Sequence, residues 1–244
     1  MDIAAVADDL EQRLTAVARP ERAEQERRYL KSNLIHLGVS VPATRKVTTE
    51  VFRSCGGVGH DDLVALAIAL WETPIHESRL AAVELLALGS DRFSAADAPV
   101  LERLLRESRT WALLDGLATS VIGTLVDREP PAWDAILRRW AVDDDFWVRR
   151  ASLLAHLPGL RRGAGDFERF GELADPMLVE SEFFIRKAIG WVLREAGKAR
   201  PDLVADWLGP RTDRAAGLTV REAVKRLPND LRARVLAAAN DSCH

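Results

Sequence analysis

The chain is poor in several residue types, and each shortage removes a class of protein. Of its 244 residues only two are cysteine, Cys55 and Cys243, far apart in sequence. They make neither a disulfide framework nor a thiolate metal cluster, which points to a reducing compartment, the cytoplasm. Five histidines (36, 60, 76, 156, 244) show no ligand spacing, so no metal site and no cofactor are expected. No Gly-rich phosphate loop, GxSxG or HExxH is present. No apolar run reaches the roughly 18 residues a membrane span needs. The start, Met1-Asp2-Ile3 through Asp8-Asp9, is acidic and lacks the basic and apolar regions of a signal peptide. Segments with a convincing strand alternation are missing too.

Hydrophobic residues make up 48% of the chain, which excludes intrinsic disorder and is ample for a core. The formal net charge is −3, which as a sum speaks against an anionic partner. The distribution says otherwise. Residues 1–26 carry seven acids against three arginines, whereas residues 183–234 carry twelve basic residues against six acids. Lysine occurs only at 31, 46, 187, 198 and 225, so the basic set is nearly all arginine, the better phosphate clamp.

The apolar periodicity predicts helices over 2–18, 20–34, 43–55, 60–71, 76–89, 95–107, 109–127, 131–141, 145–157, 166–179, 182–197, 201–208 and 219–239, the last divisible in two. Pro42, Gly56-Gly57, Pro74, Gly89-Ser90, Pro130-Pro131, Pro158-Gly159, Pro201 and Gly209-Pro210 punctuate them. A motif recurs at Val148-Arg149-Arg150-Ala151, Ile185-Arg186-Lys187-Ala188 and Val220-Arg221-Glu222-Ala223. One further step back meets Trp111-Ala112, and another meets the helix at Glu77–Leu86. A helical-hairpin period in this range predicts an all-α curved solenoid of HEAT-like antiparallel hairpins, one domain over 1–244.

A solenoid offers a binding surface and no chemistry of its own, so residues that break the core pattern carry the information. In 109–127, Trp111, Leu114, Ala118, Val121, Ile122 and Leu125 form a stripe, and Asp115 lies on its edge. A carboxylate there is either an inter-repeat ion pair or cap, or a functional group. In 182–197 the stripe is Ile185, Ala188, Ile189 and Val192, while Trp191 shares the other side with Phe184, Lys187, Arg194 and Glu195. An indole among cations is either a repeat-to-repeat contact or a nucleic-acid surface. Trp147 with Arg150 repeats the pairing, and Tyr29, the only tyrosine, follows Arg27-Arg28 and precedes Lys31. Trp71, Trp133, Trp140 and Trp207 read as core.

These residues coincide with a known family. Arg28-Tyr29-Leu30-Lys31, Leu37-Gly38-Val39, Leu70–Pro74, Leu80–Leu86, Trp111–Asp115, Trp147–Ala151 and Phe183–Glu195 together resemble the AlkD-like DNA alkylation repair proteins, HEAT-like repeat DNA glycosylases, over nearly the whole chain. The resemblance implies hydrolysis of the N-glycosidic bond of N3- and N7-alkylated purines in duplex DNA by a monomer. It places the catalytic aspartate on Asp115, the active-site tryptophans on Trp111 and Trp191, and the active-site arginine on Arg150, with Arg149 as its neighbour and competitor. Tyr29, Lys31, Trp147, Arg149, Lys187 and Arg194 would contact DNA. Some relatives with the same repeats lack the aspartate and are not glycosylases; this chain has it. The competing readings are a non-catalytic HEAT-like DNA-binding protein and a protein–protein adaptor.

Overall fold

A computed structural model describes residues 1–241; Cys243 and His244 lie outside the described residues. The helices are α1 (Ile3–Ala16), α2 (Pro20–Leu30), α3 (Val41–Ser54), α4 (His60–Glu72), α5 (His76–Leu88), α6 (Ala98–Ser108), α7 (Trp111–Gly116), α8 (Gly123–Arg128) and α9 (Pro130–Ala141), followed by α10 (Phe146–Leu154), α11 (Leu157–Arg161), α12 (Phe167–Met177), α13 (Phe183–Ala196), α14 (Pro201–Leu208), α15 (Gly217–Ala223) and α16 (Asn229–Asp241). Among the described residues there is no β-strand, only an isolated bridge between Ile35 and Ile75. The all-α expectation holds. No described helix is long and apolar enough to cross a membrane.

The chain divides into two compact units, Met1–Val121 and the remainder from Ile122 on. In the first, α4 and α5 pack together, α1 and α3 lie on them, and α7 packs on α5 and α6. In the second, α13 lies between α10 and α15, α9 packs on α10, and α14 packs on α16. The recurring motif therefore puts its three copies on helices that lie side by side. Its first and fourth positions are core: Val148, Ala151, Ile185, Ala188, Val220 and Ala223 are all buried. In two of the copies the second position closes a loop. Arg149 donates to the Asp143 carbonyl and Arg186 to the Glu180 carbonyl, each six residues back at 2.6 Å. In the first unit, Arg79 does the same to Thr73 at 3.2 Å. One side-chain device thus anchors successive helix entries.

Several boundaries depart from the periodicity. The segment expected as 20–34 ends at Leu30, because Lys31 turns left-handed at φ 48° and Ser32–Ser40 form a loop. That loop needs Gly38: at φ +75° a Cβ would stand 2.2 Å from the Arg19 carbonyl oxygen. The expected 145–157 is two helices, α10 and α11, and 219–239 divides into α15 and α16 before and after Pro228. Of the tryptophans read as core, Trp71, Trp133 and Trp140 are buried, whereas Trp207 is half-buried with Arg211 over its ring at 4.7 Å.

Candidate functional site

The ten candidate residues fall into two sets, one in each unit. In the first unit, the stripe of Leu114, Ala118 and Val121 is fully buried, and Trp111 and Asp115 lie half-buried at its margin. The Thr110 hydroxyl caps the helix by accepting from the Ala112 amide at 3.4 Å, which fixes the turn that carries Trp111. Beyond Asp115 the helix widens to π geometry over Leu117–Ile122, and the Asp115 carbonyl accepts the Thr119 hydroxyl at 2.6 Å. Such widened turns recur at functional sites. Tyr29, 74% exposed, meets the Trp111 ring edge to face, with centroids 5.9 Å apart at 88°. Lys31 pairs with no carboxylate among the described residues. Among the described residues it is one of two non-glycine residues with positive φ; the other, Arg109 at 46°, ends α6 two residues before Trp111.

In the second unit, Asp145 caps α10 by accepting from the Trp147 amide at 2.9 Å. Trp147 packs against Phe146 at 4.5 Å and Phe184 at 4.7 Å, so its indole belongs to an aromatic cluster. Arg149 and Arg150, adjacent in sequence, have different fates. Arg149 grips Glu180 bidentately at 3.1 and 2.9 Å, in addition to its bond to the Asp143 carbonyl. Arg150 is buried, donates to the Phe184 carbonyl at 2.5 Å, and holds its guanidinium 5.8 Å from the Phe184 ring centre.

Arg150, Lys187 and Glu222 occupy the third position of the three motif copies. They form a row across α10, α13 and α15. Glu222 is 2% exposed and gathers three cations: Lys187 at 2.9 Å, Lys225 at 2.8 Å, and Arg194. Burial, with Lys225, Arg194 and Arg150 close by, holds the Lys187 ammonium below its usual pKa. This row depends on Gly190, where a Cβ would stand 2.6 Å from the Glu222 Cβ and 3.0 Å from the Thr219 carbonyl oxygen. Trp191 follows immediately. It is half-buried, and its indole makes no hydrogen bond or ring contact among the described residues. The arrangement is a strip of fixed cations beside an open indole face, suited to phosphates and to a cationic or stacked base.

Glu222, the shared partner of Lys187, Arg194 and Lys225, was not among the candidates, although alignment of the third positions points at it. Phe184, the ring beneath Arg150, was not among them either. A cavity of about 660 Å³ in the second unit is lined by residues such as Asp127, His156 and Arg169 and by none of the ten candidates. The ten lie on helix faces and loops.

Comparison with known proteins bears on the fold and the family. No curated protein sequence matches the chain. A solved structure described as a predicted DNA alkylation repair enzyme from Enterococcus faecalis shares its fold, with a TM-score of 0.78 at 21% identity over 87% of this chain and 97% of that one. A family model described as DNA alkylation repair enzyme matches residues 10–227, a span that contains all ten candidates. The chain belongs to the DNA alkylation repair enzyme family.

Proposed function

We propose that the protein is a monomeric, cytoplasmic DNA glycosylase that hydrolyses the N-glycosidic bond of N3- and N7-alkylated purines in duplex DNA. The observation that carries the reading is Asp115, half-buried one helical turn beyond Trp111 and two residues before the π segment. An N-alkylated purine is cationic and leaves readily, so the chemistry needs little general-acid help. What it needs is a carboxylate for the oxocarbenium-like deoxyribose and for the attacking water. Asp115 is suited to that role. Trp111, braced by Tyr29, and the open indole of Trp191 offer ring faces to cationic sugar and base, worth about 0.5–2 kcal/mol each. Lys187 and Arg194 are suited to phosphates, with Lys31 and Trp147 as further DNA contacts. Arg150, held by the Phe184 carbonyl, is the active-site arginine of this reading, and Arg149, which grips Glu180, is its neighbour and competitor.

None of the ten residues lines the large cavity, which favours selection by lesion charge and lability over enclosure of a flipped base. A Schiff-base lyase step is not expected, since the catalytic position holds an aspartate rather than a lysine.

The test is release of 3-methyladenine and 7-methylguanine from methylated duplex DNA. Asp115→Asn is expected to lower the excision rate by about 10²–10³ with DNA binding retained. Equal and negligible release by wild type and variant would leave a non-catalytic DNA-binding protein as the reading.

A further inference from the structure

His36 lies in the loop between α2 and α3, positioned by the Ile35–Ile75 bridge. The Ile35 amide donates to the Pro74 carbonyl and the His76 amide to the Ile35 carbonyl, both at 2.8 Å. This alignment stacks the His36 ring on His76, with centroids 4.4 Å apart and 12° between planes. His36 is only 9% exposed, yet neither Nδ1 nor Nε2 has a hydrogen-bond partner. A buried imidazole must offer at least one donor or acceptor at each nitrogen, so both being unmet calls for a ligand or a water.

Glu77 stands beside it with no exposed surface. Its Oε1 accepts from the Gly38 amide at 2.7 Å and the Val39 amide at 3.1 Å, and its Oε2 from the Leu37 amide at 2.9 Å. Those bonds use three of the roughly four lone-pair directions a carboxylate has, leaving one on Oε2. Among the described residues no basic side chain pairs with Glu77, so a fully buried negative charge is answered only by backbone dipoles. Glu26 of α2, half-buried and paired with Arg22 at 2.5 Å, completes the group. One ligand atom each from Glu26, His36 and Glu77 all lie within 4.8 Å of one another. That is the diameter of a coordination sphere with bonds of about 2.0–2.4 Å.

We propose that Glu26, His36 and Glu77 bind a divalent first-row transition ion of the Zn²⁺ type. The imidazole selects against Mg²⁺ and Ca²⁺, and two carboxylates with one nitrogen leave a further position for water. Of the three, His36 also lines a surface groove, with Glu24, Arg27, Leu34 and Ile35. On binding, Glu26 exchanges Arg22 for the metal and Arg22 turns to solvent. The ion ties α2, the loop and the first turn of α5 into one clasp. Because Glu26 precedes Tyr29 by three residues, occupancy also fixes the helix end that carries Tyr29 and Lys31.

The spacing of the five histidines shows none of this, because the donors stand at 26, 36 and 77 and only the fold unites them. The test uses the untagged full chain stripped with chelator, titrated with Zn²⁺ by calorimetry and with Co²⁺ by visible absorption. Wild type is expected to bind one equivalent and to melt at a higher temperature with Zn²⁺. His36→Phe should abolish the Co²⁺ d–d bands. Glu26→Gln, on a half-buried helix face that tolerates the change, should weaken binding at least about tenfold. Absence of Zn²⁺ binding up to about 100 µM, or binding unchanged in Glu26→Gln, overturns the proposal. In that event the unmet His36 nitrogens hold water. The glycosylase reading is tested separately, through Asp115.

Discussion

Replacing Glu222 by glutamine removes one charge at nearly constant volume from the point where three cations meet. Breaking a fully buried ion pair costs about 3–5 kcal/mol, whereas an exposed pair is worth about 0–1 kcal/mol. Glu222 belongs to the first case, since its side chain is 2% exposed. Its partners belong nearer the second, with Lys187, Arg194 and Lys225 between 24% and 54% exposed. Each can turn part of its charge to water when the carboxylate is lost, so the cost falls between the limits, at about 2 kcal/mol. For a chain of this size that is a drop in Tm of about 4–8 °C. The assay is a thermal melt of wild type and Glu222→Gln at low and high salt. The gap should narrow with salt, because the three released cations repel one another and salt screens that repulsion. A parallel NMR titration of lysine side chains should show the Lys187 pKa lowered further, since an attractive neighbour is gone and the repulsive ones remain. A variant that melts within about 1 °C of wild type at low salt would show that the carboxylate does not hold the cations together.

Two other outcomes test the packing beneath the candidate residues. Gly190→Ala places a methyl 2.6 Å from the Glu222 Cβ, so α15 must move from α13; a loss of about 1–3 kcal/mol is expected by denaturant unfolding, together with weaker DNA binding. Full stability in that variant would mean that the helices are not in close approach. Burial pushes the His156 imidazole down to about 4, against the opposing pull of Asp166 and Asp134. The folded state thus holds this ring neutral while the unfolded chain protonates near 6.5. Its contribution is intact above pH 6.5 and is lost as pH falls to about 4, at up to about 1.4 kcal/mol per pH unit. His156→Leu should flatten the fall in Tm across that window, and parallel profiles would count against the assignment.

The periodicity was enough to find the core. The stripe Ile185, Ala188, Ile189, Val192 is buried throughout, and so is the other except for its first member, Trp111, which is half-buried, because a helix with one apolar face has one way to hide it. The half-buried settings of Asp115 and Trp191 also follow from position relative to those stripes. What the periodicity missed is tertiary or conformational. The end of α2 depends on Lys31 adopting a left-handed backbone that no local signal demands of a lysine. Trp207 has an apolar register but meets Arg211 from its own chain end. Arg149 and Arg150 are indistinguishable as letters, and only the position of Glu180 separates them. Glu26, His36 and Glu77 are linked by a backbone bridge whose partners, Ile35 and Ile75, are forty residues apart.

The four-residue motif divides its labour by position, and this has a consequence for how the surface can change over generations. The first and fourth residues hold helix against helix, and in two copies the second ties the preceding loop. The third reads arginine, lysine, glutamate along the row, and its members are unequally tied to the fold. Arg150 and Glu222 are buried and bonded to the neighbouring helix, so a change of charge there reaches the packing, whereas Lys187 is 40% exposed. Sign and strength of charge on this surface are therefore rewritten at least cost at Lys187, and a change at its buried neighbours needs stability to spare elsewhere in the repeats.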